Sequence, residues 1–357
     1  MQFYHFARHF AWRKYFPVIF FFGGFAFDAL TLGKQVQQSD FVMLTGYLLL
    51  AAGILWWLAH HAQRATVNIS EAGILRLLPK AWRASAPYFV LQFIYGNLLS
   101  ALFIVYFKSS SHALALVWSL ALAGFLVGNE YLEDHYHEHT ISWTMFGFCA
   151  ILLLNFLLPC LVGSIHWFWF VLSTLAGAGL THFFYKKSGQ PMAHIAPTWL
   201  LASLLLLAYF SDVIPPVPLV KQDAAIGVAL TKTNTYNVQV DDHDWWQIWR
   251  MFSDDIHIQA GERVYCVTAV FAPRGLHTRL YHRWEFYNGK AWVMASRIGF
   301  TLNGGREAGF RGYTYKQNLQ AGEWRVTVET EDAHTLSTDN FTLLIESADI
   351  KRKVRAI

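Results

Sequence analysis

The stretch FSDVIPPVPL, from Phe210 to Leu219, divides the sequence into two parts with different hydrophobic patterns. Long apolar runs with few charges precede it, and short segments rich in β-branched and aromatic residues follow it. Proline lacks a backbone N–H and fixes its own φ. Three prolines in four positions (Pro215, Pro216 and Pro218) therefore predict the end of a helix and a stiff, extended exit into a β domain.

The charge distribution supports this division. The chain is 54% hydrophobic and 15% charged, whereas soluble domains usually carry about 25% charge. Residues 1–219 make up more than half of the chain, yet hold only 11 of its 28 Lys and Arg and 8 of its 24 Asp and Glu. This contrast predicts a membrane domain over residues 1–219, followed by a water-soluble part.

Seven segments are long enough to cross a bilayer, whose core of about 30 Å requires about 20 apolar residues in a helix. They are approximately Tyr15–Leu32, Phe41–His60, Pro87–Phe107, His112–Leu132, Ile141–Gly163, Ser164–Tyr185 and Ile195–Leu219. The first segment has a long basic lead and no small-residue cleavage site after it, so it is predicted to be a span and not a cleaved signal peptide.

The orientation follows from the basic residues of the short loops, because Lys and Arg concentrate on the cytoplasmic side. The N-terminal lead and the loops after the second and sixth spans carry Arg8, Arg13, Lys14, Arg64, Arg76, Lys80, Arg83, Lys186 and Lys187. The alternate loops carry only Lys34 and Lys108. This pattern predicts a cytoplasmic N-terminus and, after seven spans, residues 220–357 on the outside.

The outer part is predicted to contain an all-β antiparallel sandwich of the Ig-like class. Short strand-like runs separated by turn residues indicate this fold. Asn288-Gly289 is a strong hairpin signal, because a type I′ turn needs positive φ at both of its central positions, which Asn and Gly tolerate. The Trp-rich segment DDHDWWQIWRMF (Asp241–Phe252) is predicted to be an interfacial helix, a strand or a packing arm. The predicted parts are a linker at 220–260, the sandwich at 261–350 and a solvated basic tail at 351–357.

Polar residues within the spans are candidates for function or for helix packing. An acid inside a span suggests a proton relay or substrate contact, although Asp28 is also close enough to the outer boundary for a structural role. Polar and small residues on one helix face instead favour interhelical hydrogen bonds. The candidates are Asp28, Gln92, Asn97, Ser100, Asn129, Glu130 and Asn155.

A second group of candidates lies in the β domain. Arginines beside glycines can clamp a carboxylate or phosphate, or can brace turns. Tryptophans in strands can pack in a core or stack on a sugar. The ligand candidates are His282, Trp284, Arg306, Arg311 and Trp324.

The loop EDHYHEH, Glu133 to His139, resembles a metal site because zinc accepts imidazole and carboxylate ligands. Its spacing departs from HExxH, and a water-solvated membrane edge explains His135, His137 and His139 as well. We therefore predict no metal and no cofactor. The sequence contains none of the motifs GxSxG, SxxK, HExxH or a P-loop, so no enzyme class is assigned, and it has no nucleic-acid footprint.

Several stretches together resemble a bacterial family catalogued only as a domain of unknown function. They are GGFAFDALTLG (Gly23–Gly33), QFIYGNLLSALFIVYFKSSS (Gln92–Ser111), GNEYL (Gly128–Leu132), LNFLLP (Leu154–Pro159), IPPVPL (Ile214–Leu219), APRGL (Ala272–Leu276), HRW followed by NG (His282–Gly289), GGREAGFR (Gly304–Arg311) and GEWRV (Gly322–Val326). The resemblance implies a Gram-negative inner-membrane protein with a periplasmic β domain, and it implies no reaction. The residues EDHYHEH depart from the basic or mixed residues expected after NEYL.

Three functions remain open at this point. The first is a binding or scaffold module, in which the spans anchor a β domain that contacts an envelope glycan, lipid headgroup or protein. The second is a small transporter or proton-coupled protein that uses Asp28, Gln92, Asn97 and Glu130. The third is a membrane enzyme that acts on a lipid-linked substrate.

Overall fold

The computed structural model describes residues 38–63, 85–132, 135–189, 191–233, 235–242, 254–306, 308–346 and 351–357. Within these ranges, six helices precede eleven strands. The helices are α1 (Gln38–Gln63), α2 (Ala86–Ser109), α3 (Ala113–Asn129), α4 (His139–Val162), α5 (Trp167–Lys187) and α6 (Ala196–Phe210). A 3₁₀ turn at Met192–Ile195 leads into α6.

Five of the six described helices are long and apolar enough to cross a membrane, counting the 3₁₀ turn with α6. The exception is α3, which is apolar but has only 17 residues. At 1.5 Å per residue it extends about 26 Å, short of a bilayer core of about 30 Å. The prediction of seven spans is therefore not supported: the fourth is this short helix, and the first, Tyr15–Leu32, lies outside the described residues.

The last helix ends earlier than predicted. α6 stops at Phe210, and Asp212 adopts a left-handed backbone with φ of 57°. The prolines that follow cannot continue a helix because they lack the N–H donor. The Asp212 carboxylate accepts a hydrogen bond from the Thr335 N–H at 2.9 Å, which ties this exit to the β region.

The chain forms two compact units, and two close contacts between helices lie in the first (Met1–Ile104, Ser119–Leu154 and Leu172–Leu206). A Cβ at Gly147 of α4 would lie 2.5 Å from Thr198 Cγ2 of α6. A Cβ at Gly177 of α5 would lie 2.7 Å from the Ile151 Cα of α4. These glycines let the helix backbones approach one another, as small residues do in membrane helix bundles.

The second unit (Val105–Trp118, Asn155–Val171 and Leu207–Ile357) contains the β region. Its strands are β1 (Val220–Gly227), β2 (Ala229–Lys232), β3 (Tyr236–Asp241), β4 (Asp254–Ile258), β5 (Arg263–Phe271), β6 (His277–Tyr287), β7 (Trp292–Asn303), β8 (Phe310–Gln317), β9 (Gly322–Thr330), β10 (Thr335–Ile345) and β11 (Arg352–Ala356). The described strands form three sheets, in the orders β1-β5-β8, β4-β10-β9-β6-β7 and β11-β3-β2. Their pairings are antiparallel except between β4 and β10.

The sheet β1-β5-β8 is the middle layer of the β region. Successive strand residues point to opposite faces, so a strand covered on both sides is buried throughout. From β5, Val264 and Cys266 pack in a cluster with Trp284 of the five-stranded sheet. Val267 and Ala269 pack instead in a cluster that contains residues of β3.

Two predicted boundaries need correction. The predicted linker at 220–260 contains strands β1–β4, and the predicted solvated tail contains β11, which pairs with β3. The strand signal of the linker is weak because buried apolar residues alternate only over short stretches, at Val238 and Val240 of β3 and at Ile256 and Ile258 of β4. The strand β11 was not predicted because its sequence is strongly basic. The carboxylates that pair with these charges lie in other segments of the chain, as in the Arg355–Asp223 pair at 2.5 Å. The Trp-rich segment falls largely outside the described residues.

Candidate functional site

The outer face of the five-stranded sheet carries a row of arginines that we call the arginine ladder. It consists of Arg279 and Arg283 on β6, Arg297 on β7, Arg325 on β9, and the carboxylates Glu285 and Glu329. The alternation of strand side chains places them together, because the inward residues of β6, such as Leu280, His282 and Trp284, are fully buried in the core.

Glu329 is the buried centre of the ladder, with 1% of its surface exposed. It accepts a hydrogen bond from Arg297 Nε at 2.6 Å and lies 3.2 Å from Arg283 Nη1. Arg283 and Arg297 stand directly opposite one another in the β6–β7 register. Like charges in that position repel, so the carboxylate between them is what allows the two guanidinium groups to be neighbours.

Glu285 joins the other end of the ladder. It accepts two hydrogen bonds from Arg325, at 2.7 and 3.0 Å, and lies 3.4 Å from Arg283 Nε. A pair of parallel N–H···O bonds fixes the plane of the guanidinium as well as its position. Arg283, Arg297 and Arg325 keep 27–31% of their side-chain surface exposed above these carboxylates.

Aromatic rings hold the arginines flat on the sheet. The guanidinium carbon of Arg297 lies 3.8 Å from the centre of the Tyr281 ring, and that of Arg279 lies 5.4 Å from the same ring. Arg325 lies 4.5 Å from the centre of the Trp292 ring. Gly299, opposite Tyr281, leaves this space open: a Cβ there would lie 2.7 Å from Arg279 Nε.

The ladder has an excess of positive charge, because four arginines face two glutamates. Arg279 is exposed and, among the described residues, forms no ion pair with a carboxylate. From Arg279 to Tyr287, β6 extends about 27 Å at 3.4 Å per residue. The partly exposed guanidinium and aromatic groups along such a strip suit an extended ligand that carries carboxylates or phosphates.

Three of the predicted ligand residues lie in the core. His282 and Trp284 have no exposed surface, and Trp324 is 4% exposed. His282 is hydrogen-bonded to Thr268 through Nε2 at 3.0 Å and to Thr314 through Nδ1 at 2.9 Å. Burial lowers the pKa of His282 to about 3, so the imidazole is neutral and joins the two hydroxyls.

The two arginines predicted as ligand residues, Arg306 and Arg311, lie outside the buried core. Arg306 is exposed on the loop after β7, where its guanidinium carbon lies 5.5 Å from the centre of the Phe310 ring. Arg311 lies near the start of β8, half-buried and opposite Ala269 of β5. The structure therefore does not bring Arg306 and Arg311 together with His282, Trp284 and Trp324 as one ligand site.

Among the polar residues of the spans, Gln92 and Asn129 meet directly. Gln92 Nε2 donates to the Asn129 carbonyl at 3.3 Å, and Asn129 Nδ2 donates to the Gln92 carbonyl at 3.2 Å. The Tyr136 hydroxyl donates to Asn129 Oδ1. Gln92 Nε2 also reaches the carbonyl of Glu130 at 3.4 Å. These reciprocal bonds connect α2 with the end of α3, as expected of polar residues that hold helices together.

The remaining candidates of the spans are separate from this pair. Asn97 donates to the carbonyl of Phe93 in its own helix at 2.8 Å. Asn155 is buried in α4 and is hydrogen-bonded to Tyr106, and Ser100 is buried in α2. Asp28 lies outside the described residues.

The histidines of the 130–139 loop do not converge. His135 is exposed, and the His137 ring contacts the Tyr88 ring with the centroids 3.8 Å apart and the planes tilted by 43°. His139 begins α4 and, with His137 and Tyr88, lines an open cavity of about 70 Å³. No group of three His, Cys, Asp or Glu within the described part of the chain is placed to hold a metal ion, and Glu133 and Asp134 lie outside that part.

The arginine ladder was missed at the level of sequence, although a signal was present. Arg279, Tyr281, Arg283 and Glu285 occur at every second position of HTRLYHRWEFY. That spacing places four polar or amphipathic side chains on one face of a strand. The sequence does not show which charges of β7 and β9 meet them.

The fold and the ladder together define a class of protein: apolar helices of spanning length followed by a C-terminal, mainly antiparallel β region. Residues 277–343 match the family described as "Protein of unknown function (DUF2914)". The match covers β6 to most of β10 and includes the whole ladder. It supports the prediction of a domain of unknown function, and it does not extend to the helical segments that carried part of the resemblance. No curated protein matches the chain.

Solved structures are similar only at a low level. An immunoglobulin-like protein from Pseudomonas aeruginosa aligns at 11% identity and a TM-score of 0.21, over 34% of this chain and 94% of that chain. A β-glucosidase from Listeria innocua aligns at 8% identity and a TM-score of 0.19, over 31% of this chain and only 16% of the enzyme. The alkylpurine DNA glycosylase AlkC from Pseudomonas fluorescens aligns at 10% identity and a TM-score of 0.19, over 84% of this chain and 96% of that chain. Similarities at these TM-scores carry no argument about function.

Proposed function

We propose that this chain is an integral protein of the bacterial inner membrane whose periplasmic β domain binds or scaffolds a component of the cell envelope. Five helices of spanning length support the membrane part. The placement of Lys and Arg in the short loops supports the periplasmic location. The arginine ladder is the observation that carries the binding role.

The ligand that fits the ladder is an extended, anionic glycan with carboxylate groups. Glu285 and Glu329 fix the guanidinium groups before a ligand arrives, so little side-chain entropy remains to be lost on binding. Tyr281 and Trp292 offer ring surfaces beside those charges. The length of β6 accommodates several sugar units in a row.

Co-sedimentation with peptidoglycan sacculi tests this function. Full-length protein in mild detergent is mixed with sacculi from a Gram-negative bacterium, and the bound fraction is measured after centrifugation. Arg279→Glu reverses a charge of the ladder that forms no ion pair with a carboxylate in the described residues, so Glu285 and Glu329 keep their partners. We expect this variant to bind at least about fivefold more weakly, which corresponds to about 1 kcal/mol.

The matched control is Lys353→Glu, the same charge change on β11 in another sheet. Lys353 is 52% exposed and its partner Asp242 is 49% exposed at 3.0 Å, so their ion pair contributes little to stability. This control should bind as the wild type does. Equal binding by the wild type and Arg279→Glu, or no binding by either, would contradict the proposal.

A further inference from the structure

We propose that two loops of the β region, Ala272–Leu276 and Asn303–Arg306, form a contact surface for anionic phospholipid headgroups. The surface is separate from the arginine ladder, and its partner is the lipid leaflet around the ends of α4 and α5. Its charged groups are Arg274 and Arg306.

The two loops are fastened to one another. The Gly304 N–H donates to the Leu276 carbonyl at 2.8 Å, and the Gly305 N–H donates to the Ala272 carbonyl at 3.0 Å. A Cβ at Gly304 would lie 2.0 Å from the Pro273 carbonyl oxygen, so only glycine permits this approach. The loops therefore hold their arginines on one small, defined surface.

This surface is docked on the chain between two membrane helices. The loop from Gly163 to His166 joins α4 to α5. The Gly163 carbonyl accepts a hydrogen bond from the His277 N–H at 2.9 Å. Leu276 is fully buried and packs in one cluster with Ile165 of the joining loop. The arginine loops are thus fixed at the end of two helices of spanning length.

Exposed aromatic residues indicate the depth of the lipid headgroups. Trp167 and Phe168, in the first turn of α5, are 42% and 48% exposed. Tryptophan prefers the boundary between the hydrocarbon and the headgroups. Because Trp167 follows the joining loop directly, Arg274 and Arg306 lie at the level where lipid phosphates occur.

Both arginines are available for such a contact. Arg274 and Arg306 are exposed, and neither forms an ion pair with a carboxylate among the residues that the structure describes. A Cβ at Gly305, next to Arg306, would lie 3.4 Å from Arg274 Cγ, so the backbone beside Arg306 runs close to Arg274. Two guanidinium groups in this position suit the phosphates of anionic lipids.

Native mass spectrometry of the full-length protein tests the inference. Protein in mild detergent is exposed to equal amounts of phosphatidylglycerol and phosphatidylcholine, and the retained lipids are counted. We expect the wild type to prefer phosphatidylglycerol by about fivefold, and Arg274→Gln/Arg306→Gln to retain the two lipids equally. Lys290→Gln, at the β6–β7 turn, removes one charge from the opposite end of β6 and should keep the preference.

Three results would overturn the inference. The double variant could keep the wild-type preference while its circular dichroism spectrum stays unchanged. The wild type could show no preference between the lipids. Finally, millimolar inorganic phosphate could displace phosphatidylglycerol completely, which would identify a site for free phosphate and not for lipid.

Discussion

His282 shows how burial fixes the protonation state of a single side chain. Its ordinary pKa would be about 6.5, and burial in the β region lowers it to about 3. At pH values between these two, the unfolded chain takes up a proton that the folded chain does not bind. The free energy of unfolding therefore falls as the pH decreases from about 6.5 towards 3, by at most about 1.4 kcal/mol per pH unit for one proton.

His282→Gln is expected to reduce this acid sensitivity. Glutamine can still bond Thr268 and Thr314 and does not titrate. Between pH 7 and pH 5 the melting temperature of the β region should fall less in the variant than in the wild type, even if the variant is less stable at pH 7. Tryptophan fluorescence of the full-length protein during heating measures both slopes, and equal slopes would refute the assignment.

Glu329 is the residue on which the arginine ladder depends. Glu329→Gln removes the charge between Arg283 and Arg297, which then face one another across β6 and β7. We expect the free energy of unfolding to fall by more than about 1 kcal/mol, because solvent only partly screens the repulsion between the two guanidinium groups. Glu323→Gln changes an exposed residue of the same strand and should be nearly neutral. Equal melting temperatures for the two variants would show that Glu329 does not stabilise the sheet.

At the scale of elements, α5 offers a matched pair of glycines. Gly177 packs on the backbone of Ile151, whereas a Cβ at Gly179 would meet nothing within 4 Å. Gly177→Val should force α5 away from α4 and lower the melting temperature by several degrees, while Gly179→Val should have a much smaller effect. Thermal denaturation in detergent provides the comparison, and similar losses in both variants would contradict the packing described for α4 and α5.

The elements also show where sequence reasoning succeeds. The long apolar runs predicted α1, α2, α4 and α5 because each has an unbroken stretch of spanning length. Asn288-Gly289 predicted the turn between β6 and β7, but this turn spans residues 288–291 and only Gly289 of the pair has a positive φ, so it is not the predicted type I′ turn. The predicted fourth span, His112–Leu132, was too long, because apolar character alone does not show that the helix α3 ends at Asn129. β1 to β3 were missed since their burial depends on contacts with a distant part of the chain, β5.

The candidate site was harder to predict than the fold. A tryptophan or histidine in a strand can face the core or a ligand, and only the register decides which. His282 and Trp284 face the core, while Arg279 and Tyr281 of the same strand face outwards. Arg297 and Glu329 are 32 residues apart in sequence, and their side chains meet at 2.6 Å. The sequence around either residue does not reveal this contact.

At the scale of the whole molecule, the proposed topology is open to direct measurement. The native cysteines Cys149 and Cys266 are buried and Cys160 is half-buried, so an added surface cysteine gives a clear signal. Lys290→Cys lies on the exposed β6–β7 turn. We expect a membrane-impermeant maleimide to label it once the outer membrane is permeabilised. Labelling only after the inner membrane is disrupted would place the β domain in the cytoplasm.

Site-specific photocrosslinking in living cells tests the central claim, that the ladder contacts an envelope glycan. Met294 is 60% exposed and stands opposite Glu285, whereas Val354 is 63% exposed on β11. With benzoylphenylalanine at either position, irradiation should give an adduct at 294 that muramidase digests, and little at 354. Equal adducts at both positions, or none at 294, would contradict the account.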